Sequence, residues 1–327
     1  MPELPDLTVY RETLERLTVG QRLVKVRLVS PFLLRTAEPS LGEVEGGTVV
    51  KVSRIGKRLI LAVTSELFLV IHLMIAGRLH WRKTASKIPG KTGSAAFDFT
   101  PGTLVLTEAG SKKRASLHVV RGEHALSQFA MGGIEPLEAD LASFRSVLTR
   151  ENHTLKRSLT DPRLFSGVGN VYSDEILHAA RLSPVKLTHT LTDDEIERLF
   201  QSTQTVLKGW IDRVRRETGT GFPEHVTAFR EGMAVHGRYR QPCPICGNPV
   251  QRIVHAENET NYCATCQTNG KLLADRALSL LLRTDWPKTL DEWDEARAAR
   301  RTGSDRQTAN EITGGLAGKE PTMRPSD

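Results

Sequence analysis

Apolar side chains recur at Leu7, Tyr10, Leu14 and Leu17, the spacing of one helix face. Residues 7–17 are therefore predicted to form an amphipathic helix with Asp6 as its N-cap. After Gly20 the period becomes strand-like, through Leu23–Leu28, Thr48–Val52, Leu59–Val63, Leu67–Leu73, Phe97–Phe99 and Leu104–Leu106. Glycines and charged turns such as Gly46-Gly47 and Arg54-Ile55-Gly56 separate these runs, and short strands at this spacing predict a β-sandwich or flattened barrel. From about residue 138 the period is helical, over Leu141–Leu148, Leu155–Leu159, Gly169–Ala180 and Asp193–Glu217. A helical middle behind a β domain makes two domains. Arg252–Ala256 and Thr260–Tyr262 are predicted to pair as a hairpin, with helices near 271–283 and 290–301 beyond it. Residues 303–327, rich in Gly, Thr, Ser and charge, are expected to be disordered.

Four cysteines change this picture. Cys243 and Cys246 stand two residues apart, as do Cys263 and Cys266, with sixteen residues between the pairs. The spacing is that of a tetrahedral zinc ribbon, though two disulfides or unrelated buried thiols satisfy the count as well. Each pair suits one metal better than one bridge, and a reducing compartment disfavours disulfides. The 45 Lys and Arg against 38 Asp and Glu leave a formal charge of +7, which suits a polyanionic partner. No apolar run approaches the roughly 20 residues a bilayer requires, and Glu3, Asp6, Arg11 and Glu12 interrupt any secretory signal. A cytoplasmic protein is the expectation.

Two segments carry candidate chemistry. Methionine before proline is commonly removed, which would leave Pro2 as a secondary α-amine beside the Glu3 carboxylate. A free α-amine titrates at roughly 7.7–8.0, so it can act as a nucleophile near neutrality and form an iminium with a sugar carbon. Glu3 could move protons at the same centre. The second segment is Gly167-Val168-Gly169-Asn170-Val171-Tyr172-Ser173-Asp174-Glu175-Ile176-Leu177, where two glycines allow a tight turn and Asn170 opens a helix. Such a helix start is either an ordinary capped terminus or, with the Asn side chain, an anion site able to hold a phosphate.

The Pro-Glu start, the β domain, this helix start and the cysteine ribbon, in that order, resemble the formamidopyrimidine-DNA glycosylase and endonuclease VIII family over about residues 2–270. The resemblance implies an α+β protein with an N-terminal β-sandwich carrying an N-terminal helix, and a helix-two-turn-helix domain with a zinc-ribbon hairpin. Its divisions would fall at 1–122 for the catalytic sandwich, 123–137 for a linker, 138–235 for the helix-two-turn-helix domain and 236–270 for the zinc finger. C-terminal helices at 271–302 and the 303–327 tail would follow. It further implies a monomeric glycosylase and AP lyase acting on double-stranded DNA with a damaged base or abasic site. Pro2 matches the nucleophile, Glu3 the proton-handling carboxylate and Lys57 a lysine reaching the phosphate and sugar at the lesion. Lys156 and Asn170 match backbone-phosphate ligands, and Cys243, Cys246, Cys263 and Cys266 match the ligands of one structural zinc ion. Asp6 stands where members often have Glu.

The chain departs from the family's pattern at its specificity elements. Asn258, between Glu257 and Glu259, occupies the hairpin-tip position where members place an arginine, and Arg252 or Lys271 would have to compensate. Ile75 stands in the place of a void-filling methionine, with Met74 on the opposite side if the segment is a strand. The stretch Thr107–Ser116 offers the cations Lys112, Lys113 and Arg114 but no aromatic wedge for the opposite strand. Thr218–Pro223 is at best an analogue of the loop that covers a flipped purine. These losses keep a second reading open, a DNA-binding paralogue that recognises abasic or distorted DNA and excises little. A zinc-ribbon module binding nucleic acid generally is a third, which leaves the Pro-Glu start unexplained.

Overall fold

The computed structural model describes residues 1–110, 112–255 and 258–273, together with Thr289 and Glu292. Helix α1 (Leu4–Thr18) starts earlier than its hydrophobic stripe predicts, because Glu3 is the N-cap in place of Asp6. Pro5 suits the first turn, where its missing N–H has no intrahelical partner to lose. Asp6 sits one turn in, and its carboxylate accepts the Glu3 N–H at 3.1 Å.

The strands form two four-stranded antiparallel sheets packed as a sandwich. One runs β1 (Leu23–Leu28), β6 (Gly93–Phe99), β7 (Gly102–Glu108), β5 (Gly77–Arg82), and the other β2 (Val49–Ile55), β3 (Arg58–Val63), β4 (Leu67–His72), β8 (Ser116–Arg121). Leu61, Leu69 and Val119 from one sheet meet Leu79, Phe97 and Leu106 from the other in a single core, closed at the side by Leu7, Tyr10 and Leu14 of α1. The predicted sandwich is borne out. Strands β5 and β8 carry no continuous apolar run, since Arg78, His80 and His118 interleave with the buried positions, and the sequence reading passed over both. The segment Leu73–Ala76 is a turn between β4 and β5 with Met74 at φ 52°, so strand parity does not relate Met74 to Ile75. Part of the expected linker, Glu123–Phe129, is a 3-10 helix whose Phe129 covers Ile60, Val70 and Val120 on the sandwich's outer face.

The helical predictions hold closely. Helices α2 (Leu141–Leu148), α3 (Leu155–Thr160), α4 (Asn170–Ala179) and α5 (Asp193–Thr218) surround a second core. Thr192 caps α5 reciprocally with Glu195, and acidic residues at its start and Arg215 and Arg216 at its end complement the helix dipole. Helix α1 also packs on α5, and Arg215 grips Glu12 through two bonds of 2.9 and 2.7 Å. One N-terminal helix thus serves both cores. The ribbon contributes β9 (Gln251–His255), β10 (Asn258–Tyr262) and α6 (Ala264–Thr268). The helices expected near 271–283 and 290–301 and the 303–327 tail fall, but for a few residues, outside the described residues. Among the described residues, no helix is long and apolar enough to cross a membrane.

Leu14 is fully buried where α1 meets the sandwich. Leu14→Ala is expected to cost about 2–5 kcal/mol through lost transfer energy and the cavity left behind, read as a lower urea midpoint with an unchanged slope.

Candidate active site

The first four N–H groups of any helix lack intrahelical acceptors. In buried α4 they are met by a side chain from the far end of the chain. The Glu3 carboxylate accepts Gly169 N–H at 2.8 Å, Val171 N–H at 3.0 Å and Tyr172 N–H at 3.2 Å. The Leu4 N–H donates to the Gly167 carbonyl at 2.9 Å, which fixes the N-terminus against the same turn. Gly167 needs its positive φ of 78°, and a methyl group at Gly169 would overlap both Glu3 Oε1 and Lys57 Nζ. Glu3 and Lys57 therefore converge on one backbone atom of the α4 turn. The anion at this helix start is an internal carboxylate, so its N–H groups form a capped terminus, one of the two readings the sequence left open.

Lys57 is delivered by the β2–β3 turn, where Gly56 adopts φ 58°. Arg54 braces that turn: its guanidinium donates to the Gly56 carbonyl, to Ser166 Oγ at 3.1 Å and to the Glu135 carboxylate. Ser166 in turn donates to Glu135 at 2.6 Å. The lysine stem is partly accessible but its amine is enclosed, and burial holds the pKa below the usual range, opposed by Glu3 and reinforced by Lys156. Burial likewise lowers the Met1 amine, against the pull of Glu3. Pro2 is buried. A cavity of about 510 Å³ opens here, lined by Met1, Lys57, His72, Met74, Met131 and Gly167 among others. Burial and the neighbouring Arg58, Lys57 and His118 push His72 down to about 4, so it is neutral at physiological pH.

Behind α4 lies a second polar cluster. Lys156 Nζ donates to the Asn170 carbonyl at 2.7 Å and pairs with buried Asp174 at 2.5 Å, and Asp174 also meets His236 Nδ1 at 2.8 Å. Asn170 Nδ2 donates to the Glu259 carbonyl on β10 at 2.9 Å. Asp6 pairs with Arg230 at 2.8 Å, and burial raises its pKa against that partner's pull. Arg252 spans Glu259 at 2.9 Å and lies over the Tyr239 ring at 4.3 Å. The side chain of Asn258 lies outside what the structure describes, as does Glu257. Ile75 is exposed on its turn, and Lys112, Lys113 and Arg114 are exposed on the β7–β8 loop. Sequence reading missed Arg54, Glu135, Ser166, Arg230 and His236. Arg54 stands three residues from Lys57, but its partners are 81 and 112 residues away and no local pattern links them.

The four cysteine Sγ atoms lie within 4.8 Å of one another, with Cys243–Cys266 at 3.9 Å and Cys246–Cys263 at 3.4 Å. Tetrahedral zinc with Zn–S bonds of about 2.3 Å sets sulfurs about 3.8 Å apart, so the donor set fits one ion. His178 Nε2 stands 3.3 Å from Cys243 Sγ and ties α4 to this centre.

A β-sandwich, a helical domain clasping the chain's N-terminus and a four-thiolate ribbon make up an architecture shared with known proteins. Residues 1–168 match the formamidopyrimidine-DNA glycosylase N-terminal domain, 133–220 its H2TH domain and 240–269 the zinc finger found in FPG and IleRS. Formamidopyrimidine-DNA glycosylase of Heliobacterium modesticaldum is 32% identical over 280 residues, 82% of this chain and all of the relative. That of Thermus thermophilus is 34% identical over 284 residues, 83% of this chain and all of the relative. A solved complex of Lactococcus lactis Fpg with DNA containing an abasic site superposes with a TM-score of 0.73 at 27% identity, covering 81% of this chain and 99% of that one. The chain belongs to the formamidopyrimidine-DNA glycosylase family, and its ribbon carries one structural zinc ion.

Because the ribbon packs on α4 through His178, chelation should loosen more than the ribbon. Dialysis against a strong chelator is expected to remove one zinc per chain and lower the melting temperature; an unchanged melt would count against a structural role.

Proposed function

We propose that the chain excises modified bases from duplex DNA and then cleaves the abasic strand, using Pro2 as nucleophile once Met1 is removed. The observation that carries this reading is the Glu3 clasp, which holds the chain's start against the α4 turn beside Lys57. The Pro2 nitrogen attacks C1′ and the C1′–N bond breaks, the base leaving with the electron pair and taking a proton from water. As the C1′–O4′ bond opens, the Glu3 carboxylate takes the proton shed by the Pro2 amine and passes it to O4′, giving the iminium. Loss of a C2′ proton then expels the 3′ phosphate. A second elimination, from C4′, expels the 5′ phosphate, and water releases the enzyme.

Around this centre Lys57 would hold the phosphate and sugar at the lesion, and Lys156 and Asn170 the flanking backbone. Ile75 would fill the vacated space, and Lys112, Lys113 and Arg114 would approach the opposite strand. The domain division anticipated from the sequence, a monomeric state and a cytoplasmic location alongside the DNA belong to the same reading. The Lactococcus lactis relative was crystallised on DNA containing an abasic site, Fapy-dG or an oxidised pyrimidine, which supports an oxidised base as substrate here.

The acidic hairpin supports the second reading, a weak excisor that recognises abasic or distorted DNA. Asn170 and Lys156 are engaged by protein partners, and Glu259 brings a carboxylate to the same edge. If Asn258 faces DNA, Asn258→Arg is expected to tighten binding to abasic duplex severalfold; unchanged affinity would remove the tip from the interface.

Borohydride trapping on duplex with one abasic site tests the main reading. The mature protein should form a covalent adduct, and a chain carrying an uncleaved residue before Pro2 should not. An adduct that persisted in the extended chain would move the nucleophile to a lysine such as Lys57. Gly169→Ala should lose trapping and also lower the melting temperature, because the methyl displaces Glu3 and Lys57 together.

A further inference from the structure

Phe32 is 78% exposed, the highest value among the large apolar side chains of the described residues. It is not on a loose loop. Pro31–Leu33 is a 3-10 turn in which Leu33 is buried in the sandwich core. The next residues are tied to β8, with Leu34 bridged to Leu117 and the Arg35 N–H donating to the Leu117 carbonyl at 2.9 Å. On the preceding side the Val29 N–H donates to the Ser94 carbonyl at 3.0 Å. The ring is therefore presented rigidly, anchored on both sides.

The turn lies on a definite rim of the sandwich. Strand pairing places Gly77 opposite Glu108 and His72 opposite Ser116, so the Leu73–Ala76 turn and the 109–115 loop emerge at the same end. Phe32 shares a small cavity with Glu108, Lys113 and Ala115 at the base of that loop. Buried Glu108 accepts the Arg114 and Ala115 N–H groups at 2.6 and 3.0 Å, which fixes the loop's return beside the ring. Arg35, Lys112, Lys113 and Arg114 are exposed around it. Met74 of the neighbouring turn lines the 510 Å³ cavity, and Phe32 lies beside Lys113 at the base of the loop that emerges at the same end.

We infer that Phe32 is the aromatic wedge of this enzyme, stacking into the strand opposite the modified base. The inference rests on the proposed glycosylase reading. Extruding a nucleotide leaves its partner base without a stacking neighbour, and a rigid aromatic flanked by cations can replace that contact. The 109–115 loop carries no aromatic residue of its own, and Phe32 reaches the same rim from the chain preceding β2.

The test uses the full chain and a duplex bearing a tetrahydrofuran abasic analogue opposite 2-aminopurine, with an undamaged duplex alongside. Wild-type protein should bind the lesion duplex preferentially and change the 2-aminopurine emission. Phe32→Ala should abolish that change and weaken lesion binding five- to hundredfold, as loss of one base-stacking contact does. Its melting temperature should not move, since the ring is exposed, and Phe32→Trp should restore both signals. Lesion-selective wild-type binding that Phe32→Ala leaves intact, or weakens equally on undamaged duplex, would overturn the wedge alone. Wild-type protein that did not distinguish the two duplexes would overturn the glycosylase reading and the wedge with it.

Discussion

Everything at the centre of this protein depends on where the Glu3 carboxylate is held. A buried charge needs hydrogen-bond partners, and a buried helix start needs acceptors for its N–H groups; each costs free energy if left unmet. Glu3 and α4 answer each other with three bonds across 166–169 residues of sequence. A single interaction therefore fixes the chain's N-terminus, caps a largely buried helix and joins the β-sandwich to the helical domain.

The rest of the site follows from that closeness. Gly169 has no room for a side chain because two functional groups occupy the space. The Arg54–Glu135–Ser166 brace repeats the joining of domains one turn away and sets the β2–β3 turn that carries Lys57. Helix α1, in contact with both cores, gives the N-terminus a rigid base. Charged groups are enclosed where the domains meet, which is why the amines there lie below their ordinary pKa ranges.

Much of this was legible in the sequence, and the boundary is physical. The helices announced themselves by period and caps, and α2 was placed to the residue. Strands β5 and β8 were not, because alternate positions carry Arg and His and one-sided burial leaves too few apolar residues to count. The four thiolates were readable because zinc geometry constrains spacing locally. Pro2, Glu3 and Asn170 were picked out by their own chemistry and Lys57 through family resemblance; the convergence of Glu3 and Lys57 on the α4 turn was not visible, since it rests on contacts more than a hundred residues apart. The same limit hid Arg54 and Phe32, whose neighbours in sequence say nothing of the rim or turn they serve.

The span of the Glu3 clasp also orders events in time. Translation at roughly 5–20 residues per second delivers α4 about 10–30 seconds after Glu3. Until then the Leu4 N–H lacks its Gly167 acceptor and the Glu3 carboxylate lacks its partners on α4. A ribosome that stalls or a chain truncated within the sandwich thus yields a β domain with an unanchored end. The beginning of this protein is made first but waits for a partner made much later, so the site can exist only on a molecule whose α4 turn has already formed.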